Sequence, residues 1–206
     1  MNDARNEFAA PLGSATTGRL EFVRGAYNAT IHADALATDL YRARFEGTVP
    51  DVRAEDGTVR VEYPRTWNPL AWRGHSAAIV LNAAVPWGVE VRGVASEIKA
   101  DLSGLRLESF EIDGGAGNVE LTLPEPSGTV SVRIVGGANN LSVRRPEGVA
   151  ARVHVGGGAS KLALDDQRLG AVGGETILES GSYTGATDRY EITVSGGADN
   201  VSVLTT

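Results

Sequence analysis

A glycine-centred repeat constrains the fold of this 206-residue chain more than any other feature. Gly-Gly-Ala, two variable residues and an aliphatic residue occur together at 114–119, 136–141, 157–162 and 196–201. The second glycines stand at 115, 137, 158 and 197, so the intervals are 22, 21 and 39 residues and the last holds two units. Weaker copies in the same phase lie at 25–31, 74–79 and 93–98. Such a period predicts stacked units, because one short unit cannot bury its apolar face alone.

Period-two alternation on both sides of each glycine corner predicts β-strands. Valine and isoleucine alternate with polar residues over 130–134, and Leu141 and Val143 continue the alternation after the corner. The corner glycines permit positive φ, and the asparagines at 118, 140 and 200 are expected to tolerate the left-handed region. The sequence therefore predicts an all-β fold: a single right-handed parallel β-solenoid with coils of about 20–22 residues, roughly eight or nine in number.

Aligning the coils on their glycines predicts which residues stack on one another. The inward positions expected to form one continuous core are Val132, Ile134, Leu141, Val143, Val153, Val155, Leu162, Leu164, Ile192, Val194, Val201 and Val203. The two outward columns are expected to hold Glu90, Glu111, Arg133, His154 and Thr193, and Lys99, Glu120, Ser142, Ala163 and Ser202. Glu111 beside Arg133 is a favourable pair, whereas Glu90 beside Glu111 is not.

The repeat also predicts the organisation of the chain. Residues 1–18 are expected to be a flexible N-terminal segment, and residues 19–206 one solenoid domain. An aromatic-rich excursion at 64–75 and a glycine-rich excursion at 165–189 interrupt the coils. The last coil shows no evident cap, which predicts an open strand edge at that end of the stack.

Composition excludes several classes of function. The chain has no cysteine, so disulfides, thiol nucleophiles and thiolate metal sites are excluded. The net charge of −7 argues against nucleic acid as a partner. No apolar stretch approaches the roughly 20 residues that a transmembrane helix needs, and the first residues do not read as a signal peptide. The expectation is a cytoplasmic protein, with recruitment to a membrane by a partner left open.

The glycine rungs and the C-terminal stretch from Tyr190 to Val201 resemble those of the bacterial toast-rack or "putative adhesin" family of β-solenoids. Residues 39–47 and 59–64 resemble the N-terminal half of such proteins, so the resemblance covers roughly residues 19–206. It implies a single β-helical domain with no established catalytic site. Relatives are often tethered behind transmembrane segments.

No motif predicts a metal, a cofactor or an enzyme. Residues 114–118 resemble the start of a calcium-binding glycine repeat, but Val119 stands where that repeat requires aspartate. His32 and His154 are expected on outward faces many coils apart, which predicts solvated side chains rather than ligands. The adjacent pair Asp165 and Asp166 more readily marks a turn than paired catalytic carboxylates, since neighbours on a strand face opposite ways.

The most unusual segment combines tryptophan, arginine, proline and histidine. Aromatic residues and arginine are enriched in binding hot spots, but tryptophans also cover the open end or side of a core. Both interpretations remain open at this point. The candidate binding residues are Arg65, Trp67, Trp72, Arg73, His75 and Trp87.

The sequence therefore favours a non-catalytic β-solenoid that acts as a binding or scaffold module. Its expected partner is another protein or a second copy of the chain, and carbohydrate is left open. One alternative is self-assembly through uncapped end coils. Another is a carbohydrate-active β-helix enzyme, which rests on fold analogy alone.

Overall fold

The computed structural model describes residues 6–64 and 75–206, which form two β-sheets and one short 3₁₀ turn, Tyr183–Gly185. The strands in the described residues are β1 (Glu7–Pro11), β2 (Gly18–Val23), β3 (Ala29–Asp34), β4 (Asp39–Glu46), β5 (Asp51–Glu55), β6 (Thr58–Glu62), β7 (Ser76–Asn82), β8 (Pro86–Arg92), β9 (Ala95–Asp101), β10 (Arg106–Asp113), β11 (Ala116–Thr122), β12 (Thr129–Ile134), β13 (Ala138–Arg145), β14 (Ala150–Val155), β15 (Ala159–Leu164), β16 (Gln167–Leu169), β17 (Thr176–Glu179), β18 (Arg189–Val194) and β19 (Ala198–Thr205). The prediction of an all-β chain is confirmed.

The two sheets are built from the two halves of each repeat. Sheet A has the strand order β1-β4-β7-β3-β9-β11-β13-β19-β15-β16, and sheet B has the order β17-β14-β18-β12-β10-β8-β2-β6-β5. A strand of sheet B, a corner and the next strand of sheet A together make one rung. Within the described residues the parallel rungs stack in the order β6–β7, β2–β3, β8–β9, β10–β11, β12–β13, β18–β19 and β14–β15.

The middle of the stack confirms the predicted register. Glu111 pairs with Glu90 on one side and with Arg133 on the other, and Glu120 lies between Lys99 and Ser142. Every residue of the predicted core belongs to one buried hydrophobic cluster between the sheets. Because side chains alternate between faces, the inward residues could be identified from the local pattern alone.

The order of the rungs differs from a simple solenoid at both ends. Rung β18–β19 lies between β12–β13 and β14–β15, so Thr193 separates Arg133 from His154. Rung β2–β3 likewise lies between β6–β7 and β8–β9. The expectation that each coil pairs with the next one in sequence is therefore wrong at these positions. All rungs present equivalent strand edges, so the repeat itself does not specify which rungs become neighbours.

Antiparallel strands cover both ends of the stack. Strand β5 pairs with β6, while β4 pairs with β7 and carries β1 on its other edge. At the opposite end β17 pairs with β14 and β16 with β15. The expected uncapped end coil is thus wrong, since the C-terminal rung is interior. The expected flexibility of residues 1–18 is also wrong for Glu7–Pro11, because β4 fixes this segment as a strand.

Close stacking of the corners explains why most of their glycine positions cannot hold a larger residue. A Cβ atom at Gly114 would lie 2.2 Å from the carbonyl oxygen of Gly93, and one at Gly136 would lie 2.5 Å from that of Gly114. Gly93 additionally needs a φ of 105°. At Gly136 and Gly196 the requirement is the lack of a side chain rather than a special φ.

Candidate functional site

A groove runs along the edge of the stack that carries the corners. The corners of rungs β8–β9 to β14–β15 line this corner groove, which has a volume of about 960 Å³. Its floor consists of glycine and alanine, and the polar residues Ser96, Asn139, Ser160 and Asp199 lie along it. The edge is long because each rung adds about 4.8 Å to the stack.

The glycine-rich excursion borders one end of the corner groove. Ala171 and Val172 line the groove there, and Val172 exchanges two backbone hydrogen bonds of 2.9 and 2.8 Å with Ala159. Val94, which is 52% exposed, lines the rung at the other end. Part of the segment 165–189 thus lies against the corner of rung β14–β15.

The backbone of the groove floor is occupied by rung-to-rung hydrogen bonds. The amides of Ala116, Ala138 and Ala198 donate to the carbonyl oxygens of Gly137, Gly197 and Gly158 at 2.9, 3.1 and 2.9 Å. A phosphate loop needs a row of free amides, and these amides are not free. Recognition at this edge must therefore come from side chains.

Three exposed asparagines form a hydrogen-bonded column beside the groove, which we name the amide ladder. Asn140 Nδ2 donates to Asn118 Oδ1 at 2.8 Å, and Asn200 Nδ2 donates to Asn140 Oδ1 at 3.4 Å. All three residues lie within strands and none has a positive φ, so the tolerance for left-handed backbone expected of them is not used here. Each amide keeps a second N–H and further lone pairs for an external partner.

The surface around the amide ladder is polar and includes the charged residues Glu97, Glu120 and Arg144. Ser142 and Ser202 stand side by side in the next column, within a shallow depression of about 590 Å³ that the ladder also lines. Glu97 pairs with one end of the ladder and Lys161 with the other. Glu120 is the Cα partner of Ser142 in the neighbouring column. Amides and hydroxyls in this arrangement can exchange hydrogen bonds with a hydrophilic ligand.

The structure describes only two of the six residues that the sequence predicted to bind a ligand. Arg65, Trp67, Trp72 and Arg73 lie outside the described residues. His75 is buried, and its carbonyl oxygen accepts a hydrogen bond of 2.9 Å from Asn28 Nδ2.

Trp87 is fully buried, and its indole Nε1 donates to the carbonyl oxygen of Asn82 at 2.8 Å. A Cβ atom at Gly18 would lie 2.5 Å from this ring, which shows how closely the backbone of the neighbouring rung covers it. The ring of Trp87 therefore packs in the core and is closed to solvent.

An ionic cluster on the outer face of sheet B could not be found from the repeat. Glu21 is buried there, with Arg60 at 2.9 Å, Arg19 at 3.0 Å and Arg92 at 3.7 Å. Arg92 and Arg19 also bind Glu90, and these hydrogen bonds hold the pKa of Glu90 below its ordinary value. The cluster forms because rung β2–β3 lies between β6 and β8, which the order of the sequence does not reveal.

The described part of the chain contains no group of three or more histidine, aspartate or glutamate side chains placed to hold a metal ion. His154 Nε2 lies 2.8 Å from Glu175 Oε1, and His32 stands beside Asp101 on β9. Over the same residues, no helix has the length and apolar character needed to cross a bilayer.

The family model of the N-terminal domain of toast_rack, DUF2154, matches residues 9–144. A search of curated proteins gave no match. A "putative cell adhesion protein" from Clostridium sporogenes has a similar structure, with a TM-score of 0.70 and 18% identity, covering 97% of this chain and 98% of that chain. A "putative adhesin" from Bacteroides fragilis gives a TM-score of 0.36 at 9% identity, covering 97% and 94%.

Proposed function

Since the chain belongs to the toast-rack family, we propose that it is a non-catalytic binding module whose ligand is an extended, hydroxyl-rich polymer such as a neutral glycan. The observation that carries the proposal is the amide ladder beside the corner groove. The ladder holds three amides in one orientation on consecutive rungs, and the serine column runs parallel to it.

The ladder suits a repeating ligand. Hydrogen bonds between the amides hold them in place before binding, which lowers the entropic cost of recognition. Donors and acceptors recur at about the 4.8 Å strand spacing, and a chain of sugar units presents hydroxyl groups with a comparable repeat. Individual contacts of this kind are weak, and their sum along a polymer provides the affinity.

The surface chemistry supports this ligand over the other partners. Stable protein interfaces concentrate aromatic and apolar residues at their centre. The large hydrophobic residues exposed in the described part of the chain are Leu36, Val94, Ile177 and Leu204, and they lie on separate elements. Nucleic acid would require a row of cations, whereas the charged residues around the ladder are of both signs.

Affinity electrophoresis in gels that contain dextran, laminarin or galactomannan tests the proposal. At least one of these neutral polysaccharides should retard the wild-type protein. Replacing Asn118, Asn140 and Asn200 together with alanine should weaken that retardation about tenfold or more, because each lost hydrogen bond is worth about 0.5–1.5 kcal/mol.

The matched control carries Ser131→Ala and Thr193→Ala on the outer face of sheet B. It should migrate like the wild type. If no neutral polysaccharide retards the wild type, or if both variants behave alike, the proposed ligand class or the proposed surface is wrong.

The binding role of the tryptophan-rich segment, residues 64–75, remains a prediction from the sequence. The chain leaves β6 and returns to β7 on the edge of the stack that carries the corner groove. We propose that Trp67 and Trp72 extend the binding surface along this edge. In the same gels, Trp67→Ala/Trp72→Ala should reduce the retardation while the thermal midpoint stays unchanged, and a lowered midpoint with normal retardation would assign the tryptophans to the core.

A further inference from the structure

We propose that the C-terminal rung, residues 189–205, is an exchangeable arch, and that the slot it fills also accepts the same arch from a second copy of the chain. The result is a dimer in which two chains swap their β18–β19 rungs. This inference is independent of the proposed ligand, since it concerns only contacts that the protein makes with itself.

The arch fills a slot with strand edges on both sides. Ile192 of β18 pairs with Val132 on one side and with Val153 on the other. Val201 of β19 pairs with Leu141 and with Leu162 in the same way. Withdrawal of the arch would leave two unpaired edges in each sheet, and unpaired edges are templates for another strand. One strand–corner–strand unit satisfies all four edges at once.

Three contacts hold the arch in its slot. Tyr190 is fully buried, and its hydroxyl donates to the carbonyl oxygen of Pro124 at 2.8 Å. At the corner, a Cβ atom on Gly196 would lie 2.9 Å from backbone atoms of Gly136, so a glycine is needed there. The arch also completes the amide ladder through Asn200. A second copy of the chain carries all of these features at the required spacing.

The segment between β17 and β18 has the length and composition of a hinge. In the strand order β17-β14-β18 it must cross two strand spacings, about 10 Å. Residues 180–188 can span about 30 Å when extended. A Cβ atom at Gly181 or Gly185 would meet nothing within 4 Å, so these glycines are not required by packing. The excess length allows the arch to reach a neighbouring molecule while β16 and β17 keep their places.

One side chain holds the hinge in its folded form. The ring of Tyr183 lies between the guanidinium groups of Arg152 and Arg189, at 4.3 and 4.9 Å from its centroid. Its hydroxyl donates to Glu191 Oε1 at 2.7 Å. These contacts join the hinge to both β14 and β18, so their loss should make the arch easier to withdraw.

Because the chain contains no cysteine, pairs of single-cysteine variants test the exchange directly. Ser142 of β13 and Ser202 of β19 are Cα partners on adjacent strands, within the distance that a disulfide can bridge. Ser142→Cys and a size-tagged Ser202→Cys chain are partly unfolded together at high concentration, refolded and oxidised. A disulfide-linked heterodimer forms only when β19 of one chain lies beside β13 of the other.

The control mixture combines Glu120→Cys with the tagged Ser142→Cys chain. These positions are also partners, but both belong to rungs that the proposal keeps within one chain. The arch pair should yield at least about tenfold more heterodimer than the control pair, since only the arch is exchanged. The double variant Ser142→Cys/Ser202→Cys verifies the geometry by forming an intramolecular disulfide in dilute solution. Equal yields from the two mixtures, with the intramolecular bond formed, would overturn the proposal.

The restraint that Tyr183 places on the arch is tested with the same pair of cysteine variants in native buffer. Tyr183→Phe removes the hydrogen bond to Glu191 but keeps the ring between the two arginines. It should speed the appearance of heterodimer severalfold relative to chains that retain Tyr183. An unchanged rate would show that the hydroxyl of Tyr183 does not restrain the arch.

Discussion

At the scale of single residues, this fold depends on corner positions without a side chain as much as on the side chains of the core. The corners stack so closely that a methyl group at several glycines would overlap the backbone of the next rung. The inward side chains then fill the space between the sheets as one cluster. The same residue type therefore contributes differently to the stability of the fold at different positions in the chain.

Gly136→Ala should destabilise the protein by about 1–3 kcal/mol, the usual cost of forcing extra atoms into a packed site. Its added Cβ would lie 2.5 Å from the carbonyl oxygen of Gly114, whereas a Cβ at Gly170 would meet nothing within 4 Å. Urea unfolding of Gly136→Ala and of the control Gly170→Ala measures the difference. Equal midpoints would contradict the close stacking of the corners.

Leu141→Ala should cost about 2–5 kcal/mol, because it leaves a cavity in the core. Ser142→Ala, one position along the same strand, should be nearly neutral because Ser142 faces outward. Denaturant melts of the two variants compare the two faces of β13. Similar losses in both would mean that the strand faces are assigned wrongly.

Glu90 should contribute stability that depends on pH. Its pKa is held below the ordinary value of 4.5, first by the hydrogen bond from Arg92. The stabilisation is therefore fully present above about pH 4.5 and is lost as the pH falls through the lower pKa of the folded state. Glu90→Gln should lower the thermal midpoint at pH 7. At pH 3 the midpoints of the variant and the wild type should lie closer together. Glu108→Gln, exposed on β10, should show neither change.

At the scale of elements, an ion pair between a buried arginine and a half-buried aspartate fixes the point where the glycine-rich excursion begins. Arg145 at the end of β13 is 2% exposed and binds Asp165 through two hydrogen bonds of 2.8 and 2.7 Å. Asp165 has a φ of 52°, and its amide donates to Val203 of β19. The pair thereby joins the turn after β15 to two other rungs.

Asp165→Asn should destabilise the protein by about 3–5 kcal/mol, because it leaves Arg145 buried without its counter-ion. Asparagine retains the tolerance for positive φ, so the backbone is not the cause of the loss. Asp166→Asn changes the adjacent, exposed carboxylate and should be nearly neutral. Chemical unfolding measures the free energy of unfolding of both variants. Equal values would contradict the role of Asp165 as the counter-ion of Arg145.

At the scale of the whole molecule, the two displaced rungs and the antiparallel caps make the stack different from a chain of coils added in order. The C-terminal rung has a neighbour on each side, and β16 and β17 cover the rung beyond it. Elongation through an open C-terminal coil, which the repeats suggested, is therefore not available to the folded chain. Self-association through rung exchange uses the interior of the stack instead.

Val203→Lys should unfold the protein or destabilise it by several kcal/mol, because it places an unpaired charge in the core. Val203 is fully buried in an interior rung, whereas its neighbour Leu204 is 38% exposed. Leu204→Lys should therefore be tolerated. If Val203→Lys stayed folded and only changed the size of the species in light scattering, β19 would have to be an end strand after all.

The sequence by itself determined the parallel strands of the repeated rungs, the glycine corners, the inward core and the register of the outward columns. Each depends on a local period of two or on the spacing of the repeat, so Glu111 could be placed beside Arg133 without a structure. The amide ladder was present as three asparagines at one repeat position, although their hydrogen bonds were not foreseen.

Only the tertiary structure decided the order of the rungs and everything that depends on it. Trp87 is closed to solvent because Gly18, from a rung displaced in sequence, lies on its ring. Glu21 meets Arg60 for the same reason. Repeated rungs offer nearly identical edges, so local patterns cannot rank one neighbour above another. The caps occupy the outer edges of β14 and β15, and the C-terminal rung fills the slot on their inner side.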